Sequence, residues 1–534
     1  MSIRSETRTE CCAEKETRKE RKTLFLSPPN PMASPSIPFR DPHSNPKPNL
    51  PSIPTPMALA AAPSTPFPLS LPRKPPPLTP SAAAAAPAHL ETPSLAIDHK
   101  LVVSGGRQLS GHVDISGSKN AALAVLAGSL CCAAGPAVIR GVPNLSDTRT
   151  MAAVLRSVGA RVEEAGGGEV VVDASGVSSV EPSPDDVGRI RAGFFVLGPL
   201  VARFGEAEVA LPGGCKIGAR PIDLYVRGFS ALGAVVELRH GKVRVHAANG
   251  RGLIGGRFHL DYPSVGATET LMMAASMAEG VSVLSNVARE PEVADLAQFL
   301  VACGACIEGA GTGTLVVTGR KQLHGAEFTI APDRIEAGTF MVAAAITRSC
   351  ISLSPVIPYH LSSMIDKLSA AGCRITQRGP SILEISAVPA TTGGDLQGFY
   401  LKTSPYPGFP TDLQPQFMAL LTTCNGSSIV EESVFENRMH HVEELQKLGA
   451  RIKLHGSTAL VEGRKPRSFA LYGCPIAAAD LRGGAALVLA GMAAEGVTEV
   501  GGVAHIDRGY ENFEPKLLSL GAQIKREATP NSVL

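Results

Sequence analysis

The sequence predicts an α/β protein of two lobes, each an inside-out α/β barrel with helices at the centre and strands outside, built from six βαβαββ-like repeats. Three observations carry this expectation. A helix that ends on a glycine and is followed closely by Val or Ile recurs six times, as SVGARV, ALGAVV, ACGACI, AAGCRI, KLGARI and SLGAQI. The six glycines, Gly159, Gly233, Gly304, Gly372, Gly449 and Gly521, are spaced 74, 71, 68, 77 and 72 residues apart. Each unit also holds a second helix that is apolar nearly all round, and such a helix belongs in an interior.

The first 95 residues stand outside this pattern. Between Arg21 and Leu90 lie twenty of the 43 prolines and one acidic residue, Asp41. Ser, Ala and Pro alternate without helical or strand period, so the segment cannot bury enough apolar surface to offset chain entropy. Hydroxylated, basic and acid-poor, residues 1–95 are expected to be a disordered, cleavable transit peptide leading to a plastid (chloroplast stroma) through the organelle import machinery. Met32 opens MASPSIPFR, which would itself serve as a start. A flexible Pro-rich linker is the alternative. Without residues 1–95 the charge balance becomes 39 basic against 41 acidic residues.

From Ile97 onward the elements follow one another in a fixed order. The repeat glycine is the left-handed C-cap of a helix, and the Val or Ile after it opens a strand. The second, apolar helices are NAALAVLAGSL, AGFFVLGPLVA, TETLMMAASMA, AGTFMVAAAIT, LQPQFMALLTT and GGAALVLAGMA, each leading into a short β-rich run. Six units divide into two lobes of three with a cleft between. The chain is 44% hydrophobic and 18% charged with a net charge of +2. No basic block interleaves with aromatics, so nucleic acid is not an expected partner. No run of about 18 uncharged apolar residues stands out, so no membrane span is expected. The eleven cysteines are scattered through apolar stretches as reduced core thiols. Cys303 and Cys306 follow the repeat spacing and imply no metal.

Three motifs carry chemistry. In DISGSKNAAL, small residues run into a helix start bearing Lys119 and Asn120, where free N–H groups, the helix dipole and a cation suit an anion. It lacks the pattern of the nucleotide-hydrolase phosphate loop. In LPGGCKIGARPIDL the glycines place Cys215 on a loop beside Lys216 and Arg220, and cations beside a thiol favour its reactive thiolate. Third, Asp412 (FPTDLQPQF), Arg438 (VFENRMHH), Asp480 and Arg482 (AADLRGGAAL), Arg508 (HIDRGYENF) and Arg191 (RIRAGFF) flank apolar repeat helices. Arginines converging on one cleft bind phosphate and carboxylate, and an aspartate among them can act as a base.

SGSKNAAL, LPGGCKIGARPIDL, SVGATET, AREPEV, PDRIEAGTF, FPTDLQPQF, VFENRMHHVEEL and HIDRGYE closely resemble the UDP-N-acetylglucosamine 1-carboxyvinyltransferase family of enolpyruvyl transferases, in order from about residue 98 to 527. The resemblance implies one lobe over 119–331 and a second combining 98–118 with 332–534. It implies transfer of the enolpyruvyl group of phosphoenolpyruvate to the 3-hydroxyl of UDP-N-acetylglucosamine with release of phosphate, the first committed step towards peptidoglycan precursors, with no metal and no cofactor. By resemblance Lys119, Arg220 and Arg508 hold phosphoenolpyruvate. Asn120, Arg191, Arg220, Pro221, Ile222, Asp223, Leu224, Tyr262, Pro263, Ser264, Val265 and Val434 face the sugar nucleotide. Asp412 takes the hydroxyl proton, Cys215 protonates the methylene carbon and is the residue alkylated by fosfomycin, and Asp480, Arg482 and Arg438 complete the closed cleft. The sequence departs from some members at Tyr262-Pro263, where they carry Lys-Val, and at Gly483-Gly484, expected to loosen the helix start. The alternatives are a 5-enolpyruvylshikimate-3-phosphate synthase-like transferase, whose GNAGT-type and SKS-type motifs are missing, and a non-catalytic UDP-sugar binding relic.

Overall fold

The computed structural model describes residues 99–215, 217–387, 395–463 and 471–529. The extension 1–95, Met32 and Lys216 lie outside the described residues. All six repeat glycines end helices with φ between 78° and 111°, a region a side chain strongly disfavours. Each glycine is followed within a few residues by a strand, as in Arg161–Gly166 after Gly159 and Gln523–Ala528 after Gly521.

The apolar helices form two separate interiors. Lys119–Gly128, Leu197–Phe204 and Val265–Ala275 belong to one hydrophobic core, drawn from residues between Ala121 and Ile330. Arg334–Ile346, Gln414–Leu421 and Leu481–Ala493 pack against one another in the other, drawn from Leu101 to Ile115 and from Ile335 to Ile524. In the Arg334–Ile346 helix every residue is buried, so it has no solvent face. Among the described residues five mixed sheets, one antiparallel sheet and a short parallel pair, Leu323–His324 with Cys132–Ala134, surround the two cores. The five mixed sheets have four strands, one parallel pair continued by two antiparallel ones, as in Glu327–Thr329, Ala137–Arg140, Glu169–Asp173 and Arg161–Gly166. The second unit keeps three strands, and on its outer side Glu208 N–H bonds the Val180 carbonyl at 3.0 Å.

The first strands close the second core, not the first. His99–Ser104 lies antiparallel between Val497–Gly501 and Gln523–Ala528, and Ser110–Asp114 runs parallel to Cys350–Ser354. The chain therefore crosses between cores twice, and the crossings pair with each other. Ser118 N–H donates to the Ala331 carbonyl at 2.8 Å and Asp333 N–H to the Ser116 carbonyl at 2.9 Å. Between them Gly117 has no room for a side chain, since a Cβ there would stand 1.8 Å from the Gly141 carbonyl oxygen.

Two expectations are corrected. Gly483-Gly484 does not loosen its helix: Leu481–Ala493 is regular, and a Cβ on Gly484 would meet Ile506 at 2.7 Å and Ala478 at 2.8 Å. The glycines let the helix start pack closely. Not every remaining cysteine is a core thiol either, because Cys350 opens a strand with its side chain exposed.

Candidate active site

The charged side chains gather where the core helices begin. Lys119 is the first residue of its helix, Arg482 the second of its own, and Asp412 sits in the tight turn Thr411–Leu413 that leads into Gln414–Leu421. Helix starts carry a partial positive charge, so their convergence favours an anion although side chains already cap several of the first-turn N–H groups.

Asp147, buried in the first turn of the Ser146–Ser157 helix, links the first group. One carboxylate oxygen accepts from Arg508 Nε at 2.8 Å and the other lies 3.5 Å from Lys119 Nζ. Arg508 Nη1 in turn donates to Cys215 Sγ at 3.6 Å. Burial lowers the Lys119 pKa, with Asp147 opposing. Burial would also lower that of Arg508, but its bond and charge pairing with Asp147 outweigh burial and raise it.

Asp412 centres the second group. Arg438 Nη1 donates to one of its oxygens at 2.7 Å and Arg482 Nε to the other at 3.2 Å. Burial would raise the Asp412 carboxyl, but Arg438, Arg482 and Lys119 outweigh it and hold it well below the usual carboxylate range. Arg482 is 1% exposed and lies 5.1 Å over the Tyr510 ring, whose hydroxyl bonds Gln416 Nε2 at 2.9 Å and Thr339 Oγ1 at 3.0 Å. Arg438 Nε and Arg482 Nη1 are buried with no hydrogen-bond acceptor among the described residues. Buried guanidinium donors without acceptors mark a place for an incoming anion.

A third group ties the cysteine loop to the opposite core. Glu436 accepts from Ala219 N–H at 2.6 Å, and Arg220 and Arg438 both lie 5.4 Å from the Phe435 ring. Arg191 donates to the Arg220 carbonyl at 2.7 Å, and burial, with Arg191 adding repulsion, brings Arg220 down to about 10. Cys215 itself packs against the second core, although its loop leaves a strand of the first. The two halves meet around this loop.

The other expected residues fall at differing distances from this centre. Asn120 Nδ2 donates to Glu292 at 3.4 Å, and Glu292 pairs with buried Arg334 at 3.3 Å. Val434 N–H bonds Glu432 at 2.8 Å. Ser264 caps the helix that Val265 begins, while Tyr262, before half-buried Pro263, is exposed. Pro221, Ile222 and Asp223 lead into the Asp223–Ala231 helix, but Leu224 points into the first core, leaving only its backbone for a ligand. Asp480 is placed as a helix cap: one oxygen accepts from Arg482 N–H and Gly483 N–H, both at 3.0 Å. Beside it His441 is buried, and burial brings the imidazole down to about 4.

Asp147 lies outside the motifs, while Phe435, Glu436 and Tyr510 lie inside VFENRMHH and HIDRGYENF, where the sequence assigns them no role. For Asp147 a signal existed, since it lies twelve residues before Gly159 just as Glu292 lies twelve before Gly304, and Arg220 and Arg508 lie thirteen before Gly233 and Gly521. Among the described residues no group of His, Cys, Asp and Glu has the geometry to hold a metal ion, and no helix is long and apolar enough to cross a membrane.

Two half-barrels with core helices aimed at a cation-rich cleft define an enolpyruvyl transferase, and the chain belongs to that family: the family model for EPSP synthase (3-phosphoshikimate 1-carboxyvinyltransferase) matches residues 103–517. The solved enolpyruvyl transferase NikO from Streptomyces tendae is similar over 82% of this chain and 100% of its own, with TM-score 0.72 and 27% identity. EPSP synthase from Acinetobacter baumannii shares the fold at TM-score 0.62 and 18% identity, over 80% of this chain and 100% of its own. Within the family the chain is much more similar to proteins named UDP-N-acetylglucosamine 1-carboxyvinyltransferase. The one from Gloeobacter violaceus is 48% identical over 83% of this chain and 94% of its own, and the second such protein of Carboxydothermus hydrogenoformans is 49% identical over 80% and 99%.

Proposed function

We propose that this protein transfers the enolpyruvyl group of phosphoenolpyruvate to the 3-hydroxyl of UDP-N-acetylglucosamine, releasing phosphate, as the first committed step of peptidoglycan precursor synthesis. The observation that carries the reading is the meeting of a thiol from one half, Cys215, with Arg508 from the other, in a cleft that also holds Lys119 and the Asp412 carboxylate. Addition needs a proton delivered to carbon and a proton removed from oxygen at one small anion. The names of the relatives support the choice of acceptor.

Lys119, Arg220 and Arg508 hold the phosphate and carboxylate of phosphoenolpyruvate, while Arg438 and Arg482 offer their unused N–H groups. The sugar hydroxyl oxygen then forms a bond to C2 as Asp412 accepts its proton, and Cys215 gives a proton to C3, making a methyl group. The resulting tetrahedral adduct keeps its phosphate among fixed cations until the C2–O bond to phosphate breaks. The Cys215 thiolate left by the first step takes a proton back from the methyl group at that point, and the vinyl ether remains. Asp412 is a poor base while both its oxygens bond arginines. An anionic substrate that draws those guanidinium groups away leaves burial as the dominant influence, and burial makes the carboxylate more basic. These steps require no metal or redox cofactor.

The test is a comparison of acceptors. The chain from about residue 96, given phosphoenolpyruvate, should release phosphate with UDP-N-acetylglucosamine and not with 3-phosphoshikimate. The reverse preference would replace this reading by that of EPSP synthase, and binding of UDP-N-acetylglucosamine without turnover would make the protein a sugar-nucleotide binder. Asp147→Asn should raise the phosphoenolpyruvate KM by ~10-fold, because Lys119 and Arg508 lose the charge that lets them share one cleft. Steady-state kinetics at saturating sugar nucleotide would show it. Residues 1–95 we read as directing import into a plastid, supported by their Pro-rich, acid-poor composition. A fluorescent fusion of that segment that stays in the cytosol would end this proposal. Alkylation of Cys215 by fosfomycin belongs to the same reading.

A further inference from the structure

The first turn of a helix has backbone N–H groups that no carbonyl within the helix can reach. Asp333 supplies acceptors to two such turns at once. Its Oδ1 accepts from Ile335 N–H at 2.7 Å and Glu336 N–H at 3.0 Å, capping the Arg334–Ile346 helix of the second core. Its Oδ2 accepts from Lys119 N–H at 3.1 Å, the first residue of the Lys119–Gly128 helix of the first core. Ser118, which caps that helix through Ala121 N–H, leaves the Lys119 N–H to Asp333. The carboxylate is 4% exposed, so water cannot readily replace either bond.

This link lies on the hinge itself. Asp333 belongs to the returning crossing and its backbone N–H bonds Ser116 of the outgoing one at 2.9 Å. Ser116 is held in turn by Glu336, which accepts its N–H at 2.8 Å, and by Lys516, which donates to its hydroxyl at 2.7 Å. Any rotation of one half against the other about the crossings therefore acts on the bond between Asp333 and Lys119. We propose that Asp333 is a positioning residue that couples the hinge to Lys119, fixing where the Lys119 ammonium stands when the halves close. The proposal rests on the reading of Lys119 as a phosphoenolpyruvate ligand.

Asparagine separates the two duties of Asp333. It is as good a helix cap as aspartate. With its carbonyl oxygen kept on Ile335 and Glu336, however, its amide NH₂ faces the Lys119 N–H, donor against donor. In Asp333→Asn, hydrogen exchange should quicken in the peptide spanning Lys119 and stay slow in the one spanning Ile335 and Glu336. The phosphoenolpyruvate KM should rise about tenfold, the cost of one unpaired buried donor, while the KM for UDP-N-acetylglucosamine stays within about twofold. Asp333→Ser, which caps with one oxygen and offers Lys119 none, should reproduce both effects. Unchanged exchange at Lys119 in both variants, or unchanged KM for phosphoenolpyruvate, would overturn the proposal and leave Asp333 a cap alone. Should the parent chain release no phosphate, the functional reading falls, while the exchange measurement still decides whether Asp333 holds Lys119.

Discussion

Cys215→Ala should lose turnover by ~10²–10⁴-fold, the usual contribution of a positioned general acid. The thiol stands 3.6 Å from Arg508 Nη1, so the sulfur that remains after proton transfer faces a guanidinium. Its loop is tied to the opposite half by Glu436 at Ala219 N–H, which sets the sulfur inside the cleft when the halves are together. Cys215→Asp retains a proton donor and removes the soft nucleophile. It should therefore keep turnover and resist fosfomycin, whereas the parent chain should be inactivated with the label on Cys215. Mass spectrometry of the labelled peptide together with phosphate-release rates for both variants decides the matter. An alanine variant as fast as the parent would reduce Cys215 to a structural part of its loop.

Asp412→Asn should be comparably damaging, ~10²–10⁴-fold in kcat, because it removes the base while keeping the shape. Its second effect is on stability, and the sign follows from the depressed carboxyl. A carboxyl whose folded pKa lies below its unfolded value, about 3.9, stabilises the fold above that pH. The contribution drains away as pH falls further towards the folded value. At neutral pH the variant should thus be less stable than the parent, since Arg438 and Arg482 face each other without their shared carboxylate. The gap should narrow below about pH 4, where the unfolded carboxyl also takes up its proton. Thermal unfolding of both proteins across that range would reveal it, and a constant gap would mean that Asp412 is not the charge that balances the two arginines.

The repeat made the fold legible. Glycine after a helix has few other uses than a left-handed cap, and six at nearly equal spacing name the helices and strands around them. Apolar helices without a polar face could only be interior. Individual side chains were less legible where their role depends on a partner far along the chain. Ala219 and Glu436 are 217 residues apart and Asp147 and Arg508 361 apart, and no local pattern records that such pairs meet. Asp147 is the instructive case, because the repeat register already placed it level with Glu292, yet an aspartate at a helix start also reads as an ordinary capping residue. Leu224 shows a different limit: it lies in a stretch expected to face substrate, and helical geometry turns its side chain into the core, so only its backbone is left for a ligand. Gly483-Gly484 looked like a weak helix start because propensity says so, whereas close packing against Ala478 and Ile506 decides the matter.

Running the reaction in heavy water tests the central claim most directly, that groups from the two halves first add and then remove a proton around one anion. If C3 of phosphoenolpyruvate becomes a methyl group before phosphate leaves, one of its hydrogens comes from solvent through Cys215, and the elimination that follows can remove any of the three. The account predicts deuterium in the vinyl methylene of the sugar-nucleotide product, with one phosphate released for each product molecule, and with Cys215→Ala deuterated product forming ~10²–10⁴-fold more slowly. Phosphate transferred to the sugar with pyruvate left behind, or a vinyl product free of deuterium, would contradict it.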